Sequence, residues 1–397
     1  MTAFTYFFLE ILMLFVLYKA GLKLKRNYRI TSLVGFSAIF IYSFVIGMRF
    51  GRGIDYNVYW GIYDDVSKGL TYEKGLTFSY ICKYMYFLNL PYQVLIVIMS
   101  ITFIVGVLLL MKNYRDVVPY ALPLFVLFSQ LYVENMVRWY FAYSFLLIGV
   151  AYLLRYGILN KAFLFFSIIA CLLHIAIIPI PIIFCLLFLL KKPILSPVIS
   201  IPLFFVIYLG FNTNYMSGIV KTVQTLTLFS DSAYGHYVDD ADYWLTGGFL
   251  GLEKSGNIGF SNLFFLMLLV YYGYKIALNK SKQFVFAYNA FLFGLFLYPI
   301  SLLIELVERY DMTFFFFRAI ILSYILFYSK EAFKRQYSLF RPILLMLLLW
   351  TNSYMLTSPF IHSEKYFMFV WDHTNETKDD MISAWENHAE EINSNGK

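Results

Sequence analysis

The sequence has few charged residues and few cysteines, and these shortages exclude several classes of protein. Only 14% of its 397 residues are charged, whereas 60% are hydrophobic, and the mean hydropathy is +0.68. Such a composition excludes an ordinary soluble domain, and the long apolar runs are typical of a multi-pass membrane protein. The three cysteines, Cys82, Cys171 and Cys185, provide no disulfide framework.

Several sequence motifs are also missing. The chain has no phosphate-binding loop, no GxSxG, no HExxH and no CxxC pair, so we expect no nucleotide or redox cofactor. Asp239, Asp240 and Asp242 could bind a divalent cation, but no second ligand cluster accompanies them, and we predict no metal site. The net charge of +7 reflects the loops between spans and does not indicate nucleic-acid binding.

The apolar runs predict an all-α, polytopic transmembrane helix bundle with about twelve spans. The predicted spans are 3–20, 31–48, 92–111, 118–133, 139–154, 162–174, 176–190, 194–211, 259–277, 284–303, 313–329 and 342–358. Leu76–Leu90 is short and partly polar, which favours an interfacial helix. Pro179 and Pro181 predict a broken or re-entrant helix in the seventh span, and the alternative is a simple proline-kinked turn.

Basic residues occupy alternate loops, which the positive-inside rule places in the cytoplasm. Both termini then lie outside, as do most of the acids, and we expect charged chemistry at the outer face. The predicted membrane domain covers residues 1–358, with external loops at about 49–91 and 212–258. Residues 359–397 are predicted to form a polar external tail.

The stretch from Glu134 to Pro181 contains two apolar runs joined by a short basic turn. At ~1.5 Å per residue the runs rise ~24 and ~20 Å, so a hairpin would bring Arg138 and His174 to one level. Asn135 lies three residues before Arg138 and would share its helical face. The alternative is an ordinary interfacial arginine and a histidine that caps a helix end.

The first outer loop begins RFGRGIDY, in which Gly51 and Gly53 permit tight turns. Its polar residues could bind an anion and a sugar. They are Arg49, Arg52, Asp55 and Tyr56. The alternative is a solvated loop that contains an Arg–Asp pair.

Two later arginines are also candidates. Arg309 lies four residues after Glu305, which could make an ordinary surface ion pair. Arg318 falls about five residues into the predicted span that begins near Thr313. A charge at that depth usually faces a cavity or partner, although snorkelling to the interface is the alternative.

Four segments, in order, resemble the EpsG-like, Wzy-type bacterial polysaccharide polymerases. They are GMRFGRGIDYNVYWGIY (47–63), ENMVRWYFAYSFLLIGVAYLL (134–154), KAFLFFSIIACLLHIAIIPIP (161–181) and ERYDMTFFFF (308–317). Two positions depart from the family pattern: Trp139 stands where Gln is expected, and Phe50 where Tyr is commoner.

The resemblance implies a metal-independent glycosyltransferase that joins undecaprenyl-pyrophosphate-linked oligosaccharides at the outer face of the bacterial inner membrane. Arg49, Arg138 and Arg309 would stabilise the departing pyrophosphate, and His174 or Asp55 would activate the acceptor hydroxyl. The implied substrate-binding residues are Arg52, Tyr56, Asn135 and Arg318. The implied partners are the lipid-linked oligosaccharide, the bilayer, a chain-length regulator and a flippase, without nucleic acid.

Two other functions fit parts of the sequence. A membrane acyltransferase that modifies glycans could use His174 as a base, but would not need several outer arginines. A flippase or other transporter of lipid-linked oligosaccharides would carry charges along a central pathway, whereas these charges cluster near one face.

The loop charges lead to a topology prediction. A reporter fused after Lys192 should be cytoplasmic, and one fused within residues 212–256 should be external. Alkaline phosphatase and green fluorescent protein fusions, which are active on opposite sides, provide the measurement. The reverse pattern would contradict chemistry at the outer face.

Overall fold

The computed structural model describes residues 2–67, 69, 76–210, 258–302, 305–328, 341–351 and 368–372. In these residues all regular secondary structure is helical and no strand is present, apart from one isolated β-bridge. The predicted all-α class is therefore confirmed.

The described helices fall into two compact units, one formed by Met1–Phe188 with Asn352–Lys397 and the other by Leu189–Thr351. The helices that begin in the first unit are α1 (Thr2–Arg26), α2 (Leu33–Gly47), α3 (Ile54–Ser67), α4 (Leu76–Phe87), α5 (Tyr92–Met111), α6 (Val118–Asn135), α7 (Val137–Tyr156), α8 (Lys161–Leu173) and α9 (Pro179–Leu189). Those of the second are α10 (Pro197–Gly210), α11 (Phe260–Ala277), α12 (Lys282–Ser301), α13 (Glu305–Phe315), α14 (Arg318–Phe327) and α15 (Arg341–Thr351).

Five helical stretches are long and apolar enough to cross a membrane, which identifies a multi-pass membrane protein. They are Tyr92–Asn135, Val137–Tyr156, Phe260–Ala277, Lys282–Ser301 and Val307–Phe327. Five shorter apolar helices accompany them: Leu33–Gly47, Lys161–Leu173, Ile175–Leu189, Pro197–Gly210 and Arg341–Thr351. The total of twelve spans stays a prediction.

Local sequence signals explain several helix ends. The Ser32 hydroxyl accepts a hydrogen bond from the Gly35 backbone N–H (3.3 Å) and caps α2. The Asn160 side chain caps α8 in the same way, through the N–H groups of Ala162 and Phe163 (3.0 and 3.2 Å). Pro179 begins α9 after a single 3₁₀ turn, so the predicted break in the seventh span is present.

In the first unit, α5 lies between α2 and α7, and α7 packs along α8. Helix α1 packs against α2 and α6. Helix α3 packs against α4, α6 and α7, and α4 also contacts α8. Helix α4 corresponds to the predicted interfacial helix; its depth in a membrane stays a prediction. In the second unit, α12 packs against α13 and α14, and α11 packs against α14.

One predicted span has a different structure. Arg318 lies inside the candidate span Val307–Phe327, as predicted, but this span begins before residue 313, and a turn at Phe316 and Phe317 divides it into α13 and α14. Arg318 is therefore the first residue of α14.

Candidate functional site

The turn between α2 and α3 lies in close backbone contact with the end of α6. Gly51 and Gly53 adopt φ values of +66° and +89°, in the left-handed region that favours glycine. A Cβ atom at Gly53 would lie 2.3 Å from the Glu134 carbonyl oxygen and 2.9 Å from the Asn135 Cα atom. The predicted tight turn is confirmed, and only glycine allows this approach to α6.

Arg52, which follows Gly51, points into the interior of the unit and is 2% exposed. Its Nη1 atom lies 3.3 Å from a carboxylate oxygen of Glu134 and 3.7 Å from one of Glu10, and its Nη2 atom donates to the Val45 carbonyl (2.9 Å). These contacts join α1, α2 and α6 to the turn. They support a structural role for Arg52, and its predicted role in substrate binding stays a prediction.

The residues around Arg52 form a buried polar cluster. The Gln130 amide donates to the same Glu10 oxygen (2.6 Å) and to the Tyr6 hydroxyl (3.3 Å). The Tyr6 ring lies 4.9 Å from the Arg52 guanidinium carbon. We call Tyr6, Glu10, Arg52, Gln130 and Glu134 the Arg52 cluster. Sequence reasoning missed the other four members of this cluster, although charges within apolar runs are a signal of such pairing.

Arg49 is also buried, but its environment differs from that of Arg52. Its Nη1 atom donates to the Ile46 carbonyl (2.7 Å), and its guanidinium carbon lies 5.9 Å from the centre of the Tyr56 ring. Its Nε atom makes no hydrogen bond within the described part of the chain. Arg49 lines a small pocket together with Met99, Ser100, Phe103, Val133, Val137, Tyr140 and Phe141. A buried guanidinium in a mostly apolar pocket is suited to an anion.

Tyr56 is fixed by hydrogen bonds at both its side chain and its backbone. Its hydroxyl donates to the Gln93 side-chain oxygen (2.8 Å), and its carbonyl accepts from the Tyr92 hydroxyl (3.2 Å). The Gln93 amide in turn donates to the carbonyls of Gly47 and Arg49, so α5 fixes both sides of the turn. This buried position supports a role in orienting Arg49, while sugar binding by Tyr56 stays a prediction.

Asn135 and Arg138 do not share a continuous helix, and the prediction of a common helical face is wrong. Met136 has non-helical backbone angles (φ −88°, ψ 61°) and separates α6 from α7. Arg138 is the second residue of α7, and its guanidinium carbon lies 6.0 Å from the Tyr59 ring of α3. The break places Asn135 beneath the Gly53 turn and Arg138 beneath α3.

In the hairpin of α7 and α8, the start of α7 and the end of α8 lie at the same level, as predicted. Trp139, next to Arg138, packs edge to face on His174 with ring centres 5.0 Å apart. His174 is 4% exposed and ends α8 in an extended conformation. The start of α7 and the end of α8 therefore meet. Sequence reasoning missed Trp139 as the neighbour of His174.

The second unit contains the other two predicted arginines. Arg309 lies on α13, and its carbonyl accepts from the Thr313 hydroxyl (2.7 Å). The Arg318 guanidinium carbon lies 4.2 Å from the Phe315 ring. Asp311, which was not predicted, is fully buried and accepts a hydrogen bond from Ser301. The roles of Arg309 in catalysis and of Arg318 in substrate binding stay predictions.

Some predicted features lie outside the described residues. The side chains of Asp55 and Glu305 are among them, although both positions lie on described helices, α3 and α13. The acidic group Asp239, Asp240 and Asp242 lies outside as well. Within the described residues, His, Cys, Asp and Glu form no group of three or more that could hold a metal ion.

A family model, described as the EpsG family, matches residues 32–362 of the chain. This match covers most of both units. It also includes all four segments that carry the resemblance. No curated protein and no solved structure matches the chain.

The close approach of Gly53 to α6 can be tested with a matched pair of substitutions. Gly53 and Gly69 both have positive φ (+89° and +84°), but a Cβ atom at Gly69 would have no neighbour within 4 Å among the described residues. Both alanine variants carry the backbone strain of ~1–2 kcal/mol, and only Gly53→Ala adds the clash with Glu134. Thermal unfolding of the purified protein in detergent should show a lower midpoint for Gly53→Ala than for Gly69→Ala. Equal midpoints would contradict the tight contact.

Proposed function

The chain belongs to the EpsG family, and we propose that it is a glycan polymerase that joins undecaprenyl-pyrophosphate-linked oligosaccharide units at the outer face of the bacterial inner membrane. Family membership indicates a polysaccharide-polymerase function of the glycosyltransferase type. The lipid-linked donor, the outer-face site and the residue roles are the parts that we propose.

The observation that carries the proposal is the buried guanidinium of Arg49 in its mostly apolar pocket. A lipid pyrophosphate combines a strongly anionic group with an apolar chain. A cation surrounded by apolar helices matches both features. The cation attracts the anionic group, more strongly because water is excluded, and the apolar helices can contact the apolar chain. The pocket is small, so we propose that its lining side chains move apart when a phosphate group enters.

In the proposed reaction, the acceptor hydroxyl oxygen attacks the anomeric carbon of the growing glycan. The bond from that carbon to the pyrophosphate oxygen breaks, and its electron pair leaves with undecaprenyl pyrophosphate. Arg49 and Arg138 would stabilise the negative charge that develops on this leaving group. The roles of Arg309 in stabilising the leaving group and of Arg318 in substrate binding stay predictions from the sequence.

The acceptor hydroxyl loses its proton, and we propose His174 or Asp55 as the base. The contact between His174 and Trp139 supports the histidine, because the imidazole is held at the level where α7 begins. Tyr56 and Asn135 would position sugar or phosphate groups from either side of the Gly53 turn. Arg52 would act on substrate through the turn that it anchors.

We propose that arginines, without a metal or cofactor, supply the positive charge at the pyrophosphate. The partners that we propose are the lipid-linked oligosaccharide, the bilayer, and a chain-length regulator and flippase of the same pathway.

The role of Arg138 can be tested by a change that keeps its charge. A bidentate grip on pyrophosphate needs the planar guanidinium, whereas an interfacial cation needs only charge. Arg138→Lys should therefore behave nearly like Arg138→Ala. Loss of one charged partner costs roughly 2–5 kcal/mol, which at ~1.4 kcal/mol per decade slows the reaction ~30-fold or more. Polymer length and turnover of purified lipid-linked repeat units are the measurements.

Arg155 provides the matched control, because it lies in the last turn of the same helix. Its guanidinium packs over the Tyr156 ring, at 5.3 Å. Arg155→Lys should retain wild-type turnover at equal protein level. Wild-type turnover in Arg138→Lys would leave Arg138 as an ordinary interfacial cation.

A further inference from the structure

A short segment from the C-terminal part of the chain is built into the turn that carries Arg49 and Arg52. The Phe50 N–H donates to the Met368 carbonyl (2.9 Å), and the Val370 N–H donates to the Met48 carbonyl (3.0 Å). Arg49 and Phe369 form an antiparallel bridge between these two hydrogen bonds. We call Met368–Asp372 the strap.

The strap lies beyond residue 362, where the family match ends. The sequence predicts a separate polar tail for residues 359–397, but the five described residues pack against the first unit, and Phe369 is fully buried. The rest of that tail lies outside the described residues. The strap therefore contributes to the site, although it lies outside the part of the chain that matches the family model.

Phe369 completes the enclosure of Arg52. Its ring centre lies 4.8 Å from the guanidinium carbon, and the Tyr6 ring lies 4.9 Å from the same atom. Aromatic contacts of this kind attract the guanidinium directly. They also exclude water, which strengthens the pairing of Arg52 with Glu134 and Glu10.

The remaining strap residues hold Phe369 in place. Trp371 stacks on the Phe369 ring (4.7 Å between centres, 7° between planes) and on Phe44 of α2 (5.6 Å). The Asp372 carboxylate accepts a hydrogen bond from the Phe369 N–H (3.1 Å). The strap therefore turns back on itself, and its aromatic rings anchor it to α2.

The hydrogen bonds of the strap and the enclosure of Arg52 both act on the position of Arg49. The two strap hydrogen bonds lie on either side of it and fix its backbone, and the enclosed Arg52 fixes the turn that follows it. The direction of the Arg49 side chain, and hence its place in the pocket, depends on this backbone.

We propose that Phe369 is a positioning residue: it holds Arg52, and through the turn it orients Arg49 toward the pyrophosphate group of the substrate. This inference rests on the proposed polymerase function. It assigns to a segment outside the family match a part in the reaction itself.

The experiment compares polymer formation from purified lipid-linked repeat units by the wild type, Phe369→Leu, Arg52→Lys and the double variant. Leucine keeps an apolar side chain but removes the aromatic face, and lysine keeps the charge but loses the planar group. We expect turnover to fall about tenfold in each single variant, which corresponds to a rise of ~1.4 kcal/mol in the activation free energy. The double variant should be no slower than Arg52→Lys, because Phe369 acts through Arg52.

Phe36→Leu is the matched control, since the same substitution is made on an exposed part of α2 (57% exposed) and should leave turnover unchanged. If Phe369→Leu does not accumulate in the membrane, Val370→Pro replaces it, because proline removes the N–H that bonds to Met48 without altering the ring. It should reduce turnover in the same way.

The outcomes separate the two claims. A wild-type protein that forms no polymer would overturn the proposed function. A wild type that forms polymer, with wild-type turnover in Phe369→Leu or Val370→Pro, would overturn the positioning role. Losses that multiply to about a hundredfold in the double variant would also overturn it, since Phe369 and Arg52 would then act independently.

Discussion

The buried pairing of Arg52 with Glu134 and Glu10 is the interaction on which the rest of the site depends. Its desolvation is costly, so removing one partner of such a pair destabilises a protein by ~3–5 kcal/mol. The pairing joins α1, α2 and α6 at one point, and the Gly53 turn is pressed against the end of α6 as a result. Arg49 then emerges from this fixed turn into its pocket.

The features that local sequence controls were predicted well. Hydrophobic runs, prolines and caps determine where most helices begin and end, and glycines that accept positive φ identify the Gly51–Gly53 turn. The return of Arg138 and His174 to nearly the same level follows from the lengths of two adjacent runs, and the contact of His174 with Trp139, the neighbour of Arg138, agrees with it.

The features that depend on distant parts of the chain could not be predicted. Periodicity does not show that Glu10 reaches Arg52, or that Phe369 returns to the turn between α2 and α3. Two details of the helix breaks were missed for a related reason: the break after α6 separates Asn135 from Arg138, and a turn directly precedes Arg318. Met136 and Phe317 carry no proline or glycine signal, so the local sequence does not indicate the breaks at these positions.

Lipid-linked intermediates in a deletion strain test the polymerase function most directly. Loss of a polymerase should cause single repeat units on undecaprenyl pyrophosphate to accumulate, and the wild-type gene should restore long chains while the Arg138→Ala variant should not. Chains of normal length that lack acyl groups would contradict the proposal and indicate an acyltransferase. Repeat units confined to the cytoplasmic leaflet would also contradict it and indicate a flippase.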